Sequence, residues 1–143
     1  MLIGEYQHTI DSKGRIIVPA KFREELDGSF VLTRGLDGCL FGYPRSSWER
    51  VRQQLKELPI SKRDSRAFVR FFYSSACEVE IDKQGRINIP KELIDYAAIE
   101  KDCRIVGVSD RIEIWASHLW EEFTAETEEQ FDDIAEHLMG IDF

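Results

Sequence analysis

Hydrophobic and polar positions alternate with two different periods along this chain, and the switches between them outline its elements. Tyr6, His8 and Ile10 recur every second residue, which predicts a half-buried strand over 5–10. Asp11-Ser-Lys-Gly14 interrupts that alternation. Gly14 tolerates a positive φ there, and the Asp11 carboxylate is suited to accept from backbone N–H groups of a turn. Arg15 to Val18 is β-branched and extended, and Pro19 keeps its predecessor out of the helical region. The reading is strand, tight turn, strand, then a short helix with Pro19 as its first residue, ending before Asp27-Gly28. Phe30–Thr33 and Cys39–Tyr43 read as a hairpin turned by Asp37-Gly38. Cys103–Val108 and Ile112–Trp115 read as another, turned at Ser109-Asp-Arg111.

Helical spacing takes over in the middle and at the end of the chain. Ser46-Ser-Trp-Glu49 is a capping-box pattern, followed by Trp48, Val51, Leu55 and Leu58 until Pro59 stops the run. Ser61-Lys-Arg-Asp64 opens a second helix. Its apolar side is Ala67, Phe68, Phe71 and Phe72, and its basic side is Lys62, Arg63, Arg66 and Arg70. Phe68, Phe71, Phe72 and Tyr73 are expected in the core or between helices. In the tail, Trp120, Phe123, Thr127, Phe131, Ile134 and Leu138 form one stripe on an otherwise acidic helix. That stripe either folds back on its own domain or meets another subunit.

The turn recurs. Asp11-Ser-Lys-Gly-Arg15-Ile-Ile-Val-Pro19 returns 71 positions later as Asp82-Lys-Gln-Gly-Arg86-Ile-Asn-Ile-Pro90, with Asp, Gly, Arg, the next Ile and Pro coinciding. An internal duplication is the reading. It divides the chain into a first repeat over 5–47, a helical linker over 48–75, a second repeat over 76–118 and an acidic C-terminal helix over 119–143. Each repeat has about the size below which a unit rarely holds together alone. The two are therefore expected to share one core about a pseudo-twofold axis, with their Asp-x-x-x-Arg turns forming a composite surface.

Charge sharpens this picture. The net charge is -8, but residues 1–72 hold 13 Lys and Arg against 9 Asp and Glu, while residues 73–143 hold 6 against 18. A basic half beside an acidic tail is compatible with a localised binding face. No stretch approaches the roughly 18 apolar residues of a membrane span, and Met1–Glu5 lacks the basic start and apolar run of a signal peptide. Cys39, Cys77 and Cys103 share no metal-ligand spacing and are expected to be reduced and mostly buried.

No catalytic constellation emerges. His8, His118 and His137 show no pattern tying them to a nucleophile, and His118 is expected at the surface or in packing. Asp82-Lys-Gln-Gly lacks the further oxygen ligands of a calcium loop, and Gly14 and Gly85 are single glycines rather than a phosphate cradle. Neither metal nor cofactor is expected. What remains is Lys13 with Arg15 and Lys83 with Arg86, two cations per turn, with Lys21, Arg23 and the basic helical face adding charge. Two readings stand. The cations reach phosphates or base edges of DNA or RNA, with Asp11, Gly14, Asp82 and Gly85 shaping the turns. Alternatively Asp-x-x-x-Arg is an internal salt bridge and the lysines are ordinary solvated residues.

Gly4-Glu-Tyr, Asp11-x-Lys-Gly-Arg15-x-x-x-Pro19 with Phe22-Arg, Leu32-Thr-Arg-Gly-Leu-Asp37 with Cys39-Leu, and Asp82-x-x-Gly-Arg86-x-x-x-Pro90 together resemble the bacterial MraZ family over essentially the whole chain. The resemblance implies a mainly β fold with helices (α+β): two AbrB-like swapped-hairpin units sharing a small β-barrel core. It implies a transcriptional regulator of cytoplasm and nucleoid, usually a repressor. Such a regulator binds double-stranded DNA at direct repeats upstream of the operon for cell division and cell-wall synthesis, and assembles into rings. Carried over by position, Lys13, Arg15, Lys83 and Arg86 would face DNA, and Asp11 and Asp82 match the family aspartates. The competing expectation is a ring-forming protein-interaction scaffold, its basic patches docking acidic partners; an enzyme is not expected.

Overall fold

A computed structural model describes residues 1–138 and 140–142. The first half runs β1 (Leu2–Thr9), β2 (Arg15–Ile17), α1 (Ala20–Leu26), β3 (Ser29–Arg34) and β4 (Leu40–Tyr43). Two helices follow, α2 (Arg45–Lys56) and α3 (Arg63–Ser74). The second half repeats the order as β5 (Cys77–Glu80), β6 (Arg86–Asn88), α4 (Lys91–Tyr96), β7 (Asp102–Ser109) and β8 (Ile112–Ala116), and ends in α5 (Ser117–His137).

The strands form two antiparallel sheets, a larger one in the order β1-β7-β8-β4-β3-β5 and a two-stranded ribbon of β2 and β6. Neither half closes its own sheet: β1 pairs with β7 and β5 with β3. Exchanging each strand for its counterpart in the other half returns the same strand order. The ribbon is centred on Ile16 opposite Ile87, two counterpart positions, and β4 meets β8 at Phe41 opposite Glu113, again counterparts.

Strands β4 and β8 lie mid-sheet and are buried along their whole length, because apolar layers cover both faces of the larger sheet. On one face, Ile16, Val18, Ile87 and Ile89 of the ribbon segments and Phe22 and Leu93 of α1 and α4 close over Phe30, Leu32, Ile105 and Ile114. On the other, Trp48, Val51 and Leu55 of α2, Phe72 of α3 and Trp120 of α5 cover Phe41, Tyr43, Val106 and Trp115. Those that are fully buried, such as Phe22, Phe30 and Leu93, contribute about 1.5–3 kcal/mol each. The ribbon and the long helices therefore sit on opposite sides of the sheet.

Several expectations change. The mixed α+β class holds, with more helix than a mainly β reading implies, since α2, α3 and α5 span 12, 12 and 21 residues. The Ser46 capping box does not form: Pro44 holds the N-cap of α2 without a side-chain cap bond, and Glu49 pairs with Arg52 instead. Ser61 likewise lies outside α3, whose N-cap is Lys62. Pro19 occupies the N-cap of α1, one position earlier than expected. In α3 only Phe72 is buried, while Phe68 and Phe71 stay 40% and 54% exposed, stacked on Phe72 and edge-on to Tyr96. The tail helix starts at Ser117 and stops at His137; of its expected extent to 143, positions 139 and 143 lie outside the described residues.

Candidate nucleic-acid interface

Both Asp-x-x-x-Arg turns fold by the same local chemistry. Asp11 Oδ1 accepts from the backbone N–H groups of Lys13 and Arg15, both at 2.9 Å. Its Oδ2 accepts from Arg15 Nε at 2.8 Å. In the second turn, Asp82 Oδ1 accepts from the N–H groups of Gln84 and Arg86 at 2.9 Å, and Oδ2 from Arg86 Nε at 3.1 Å. These bonds favour the ionised carboxylate, so Asp11 and Asp82 are both held below the usual carboxylate range, chiefly by the backbone N–H of Arg15 and of Arg86 respectively.

Gly14 and Gly85 complete the turns at φ of +80° and +81°. Their lack of a side chain matters twice, because a Cβ on Gly14 would come within 2.9 Å of the Ile89 carbonyl oxygen. The same backbones are also bonded: Ile89 N–H donates to Gly14 O, and Val18 N–H donates to Gly85 O, both at 2.8 Å. Each turn is thus bonded to the strand exit of the other half, which fixes one turn at each end of the ribbon.

The register decides what faces outward. Ile16 and Ile87 point into the core, so Arg15, Ile17, Arg86 and Asn88 share the outer face. Arg15 and Arg86 are diagonal neighbours there, with Cβ atoms roughly 7–8 Å apart by ladder geometry. Asp11 and Asp82 offset their mutual repulsion. Each arginine forms the internal salt bridge through Nε, and among the described residues neither Nη group has a hydrogen-bond partner. A guanidinium held by one edge presents its fork in a set direction. Lys13 and Lys83 are exposed and, among the described residues, form no ion pair.

Arg23 joins this surface, though its sequence context marks it only as nearby positive charge. Its Nε donates to Val18 O at 2.8 Å, and its guanidinium lies against Gly85 of the second turn. The approach is open because residue 85 is a glycine, and which side chain fills it depends on how α1 packs. The basic side of α3, expected to reinforce the turns, belongs to the opposite side of the sheet, where Phe72 anchors the helix. The acidic α5 is also on that side, held by Arg104, which pairs with Glu5 and Glu121. The carboxylates of α5 are thereby kept away from the ribbon.

Burial pushes the Cys103 thiol up to about 11 and the Cys39 thiol further, and Cys77 is raised by the same cause. Among the described residues no group of three His, Cys, Asp or Glu is placed to hold a metal ion. His118 is exposed at the start of α5.

A family profile described as "MraZ protein, putative antitoxin-like" matches twice, over residues 1–71 and 72–141. The chain belongs to the MraZ family. Relatives are similar from end to end. A transcriptional regulator MraZ of Limosilactobacillus reuteri (strain DSM 20016) is 63% identical over 143 residues, all of both chains. That of Ligilactobacillus salivarius is 62% identical over 142 residues, covering 99% of each. That of Lactiplantibacillus plantarum is 57% identical over 143 residues, again the whole of both chains. These MraZ relatives are named as regulators and not as enzymes. The boundary between the two profile matches falls near the end of α3, between the halves that exchange strands. Among the described residues, no helix of this MraZ family member is long and apolar enough to cross a membrane.

Proposed function

We propose that this MraZ family member is a sequence-specific, DNA-binding transcriptional regulator, acting as a repressor at direct repeats upstream of the cell division and cell-wall operon. The ribbon of β2 and β6 is its reading element. The observation that carries this is the outward face of the ribbon: Arg15 and Arg86 tethered by Nε, with exposed lysines in the turns at both ends. Gly14 and Gly85 are four ladder steps apart, about 13 Å at the usual strand rise. A two-stranded ribbon of that length matches the roughly 12 Å width of a DNA major groove. Lys13, Arg15, Lys83 and Arg86 are the DNA-facing set, and Asp11, Gly14, Asp82 and Gly85 hold the turns.

The palindromic strand order supports two swapped-hairpin units, 5–47 and 76–118, related by a pseudo-twofold and closed around one barrel-like core. The linker over 48–75 and the helix over 119–143 then serve assembly into a ring in the cytoplasm, on the nucleoid. Two complementary surfaces support that role. Phe131 and Ile134 are exposed on the acidic α5, and Leu138 is exposed just past its end. The cleft between α2 and α3 is lined by Leu55, Leu58, Ile60 and Val69 and rimmed by Lys56, Arg66 and Arg70. A ring lets several weak ribbon contacts engage repeated boxes together.

The test is binding of purified protein to the DNA upstream of its own gene against a scrambled duplex, at two salt concentrations. Preferential binding that weakens steeply with salt supports the regulator. Equal binding to both duplexes, at a salt where the oligomer is intact, sinks it in favour of a ring-forming interaction scaffold.

A further inference from the structure

The duplication makes the ribbon's two ends alike in backbone, but they are not alike in charge. At the first turn, the space beneath Gly14 is closed by Asn88 Oδ1 and by the Ile94 side chain, whose Cδ1 would lie 3.4 Å from an added Cβ. At the second turn, the counterpart of Ile94 is Arg23, and its guanidinium closes the space beneath Gly85. Arg23 is pinned there by the bond from Nε to Val18 O, and Val18 N–H in turn donates to Gly85 O. One residue therefore clamps the ladder exit and the turn together.

Its charge is uncompensated. Among the described residues no carboxylate lies within ion-pair distance of Arg23, whereas Arg15 and Arg86 each have an aspartate. The first turn thus presents Lys13 and Arg15 against Asp11, and the second presents Lys83, Arg86 and Arg23 against Asp82. The field is felt locally: His8 on β1 is held below its usual pKa by burial and then by the Arg23 charge.

We propose that Arg23 makes the second turn the stronger phosphate-binding end of the ribbon, so that each chain lies on its DNA box in one direction. The inference rests on the ribbon being the DNA-reading element. A ribbon with equal ends would suit a palindromic box. Unequal ends suit a box with polarity, repeated head to tail. Arg23 is a positioning residue in this account, because it holds the second turn and adds its charge beneath it.

Arg23→Ile is the informative variant, since isoleucine is what the same fold carries at the other turn; Arg23→Lys keeps the charge without the fork. Binding to a single box from the upstream DNA, and to versions with either half of the box scrambled, is measured by fluorescence anisotropy across a salt series. The wild type should be hurt roughly tenfold more by scrambling one half than the other. Arg23→Ile should bind about 5–50-fold more weakly, with a log K against log salt slope shallower by about one, and with that difference between halves removed. Arg23→Lys should keep most of the slope. An Arg23→Ile variant with the wild-type slope and half preference overturns the inference. So does an equal loss in both variants that follows a drop in melting temperature. If Arg15→Ala loses binding while Arg23→Ile does not, the ribbon stands and only its polarity falls. If the wild type does not prefer its upstream DNA over a scrambled duplex, both fall together.

Discussion

Replacing Arg15 by alanine tests whether the arginine serves the turn or the DNA contact proposed for it. The side chain supplies one of three hydrogen bonds on the Asp11 carboxylate; the other two come from backbone N–H groups and survive the substitution. Asp11 N–H donating to Arg15 O and Gly14 N–H donating to Asp11 O survive as well. The turn should therefore keep its shape, and the melting temperature and oligomer size should stay close to wild type. Binding is different. A well-placed arginine fork is worth about 1–3 kcal/mol on a base, or roughly 5–150-fold per subunit, and a ring engaging several boxes multiplies the loss. Titration of labelled upstream DNA by anisotropy, alongside size-exclusion chromatography and thermal melting, reads both quantities. A salt slope shallower by about 0.9 would assign Arg15 to phosphate, whereas an unchanged slope with relaxed sequence preference would assign it to a base. Near-wild-type binding, or a variant that unfolds, would refute the reasoning, because the fold would then be what Arg15 serves. Arg86→Ala should behave alike.

Glu113, nearly buried on β8, accepts from Arg111 Nη2 at 2.8 Å and from Trp115 Nε1 at 3.0 Å. Glu113→Ala leaves Trp115 Nε1 without its acceptor and Arg111 with only Asp110, and should cost about 1–3 kcal/mol in urea unfolding; a change under half a kcal/mol would show that water replaces the carboxylate. With an aromatic-thiol disulfide reagent at pH 8, Cys77 should react first and Cys39 and Cys103 only in denaturant, following burial; rapid reaction of Cys103 would contradict its raised pKa. Since Asp11 and Asp82 have folded pKa values below the unfolded one, their contribution is complete above about pH 4 and is lost as pH falls through the lowered folded values. Carboxyl titration by NMR should place both midpoints below the usual aspartate value, and midpoints at or above it would contradict the turn geometry. Finally, Phe131→Lys alters a side chain that is 64% exposed in the single chain, so it should leave the monomer fold intact while shrinking the assembly in light scattering; an unchanged mass would remove the α5 stripe from the interface.

Much of the candidate site was readable in one dimension because its chemistry is local. Asp11, Gly14 and Arg15 interact within five residues, so Asp-x-x-Gly-Arg specifies the turn wherever it occurs, and its second copy at Asp82 announced a second turn. Strand alternation around Tyr6 and the Asp37-Gly38 hairpin were legible for the same reason; Asp37 and Gly38 both take positive φ. Helix starts were less so. Ser46 had the composition of a cap, but Pro44 begins α2 earlier, because the chain turns directly out of β4 into the helix.

What the sequence alone determined, then, is the pair of turns, the cations they carry and the order of elements, all governed by contacts a few residues apart. The tertiary structure decided the rest. It paired β1 with β7, placing Gly4 opposite Gly107, and β5 with β3, placing Phe30 opposite Val79, far beyond any local window. It brought both turns to one ribbon, set Arg23 beneath Gly85, moved the α3 cations and the acidic α5 to the other side of the sheet, and left Phe68 and Phe71 partly exposed. Such outcomes depend on which apolar faces can be buried together by the whole chain. No window of sequence contains that information, because the strand that completes each half's sheet belongs to the other half.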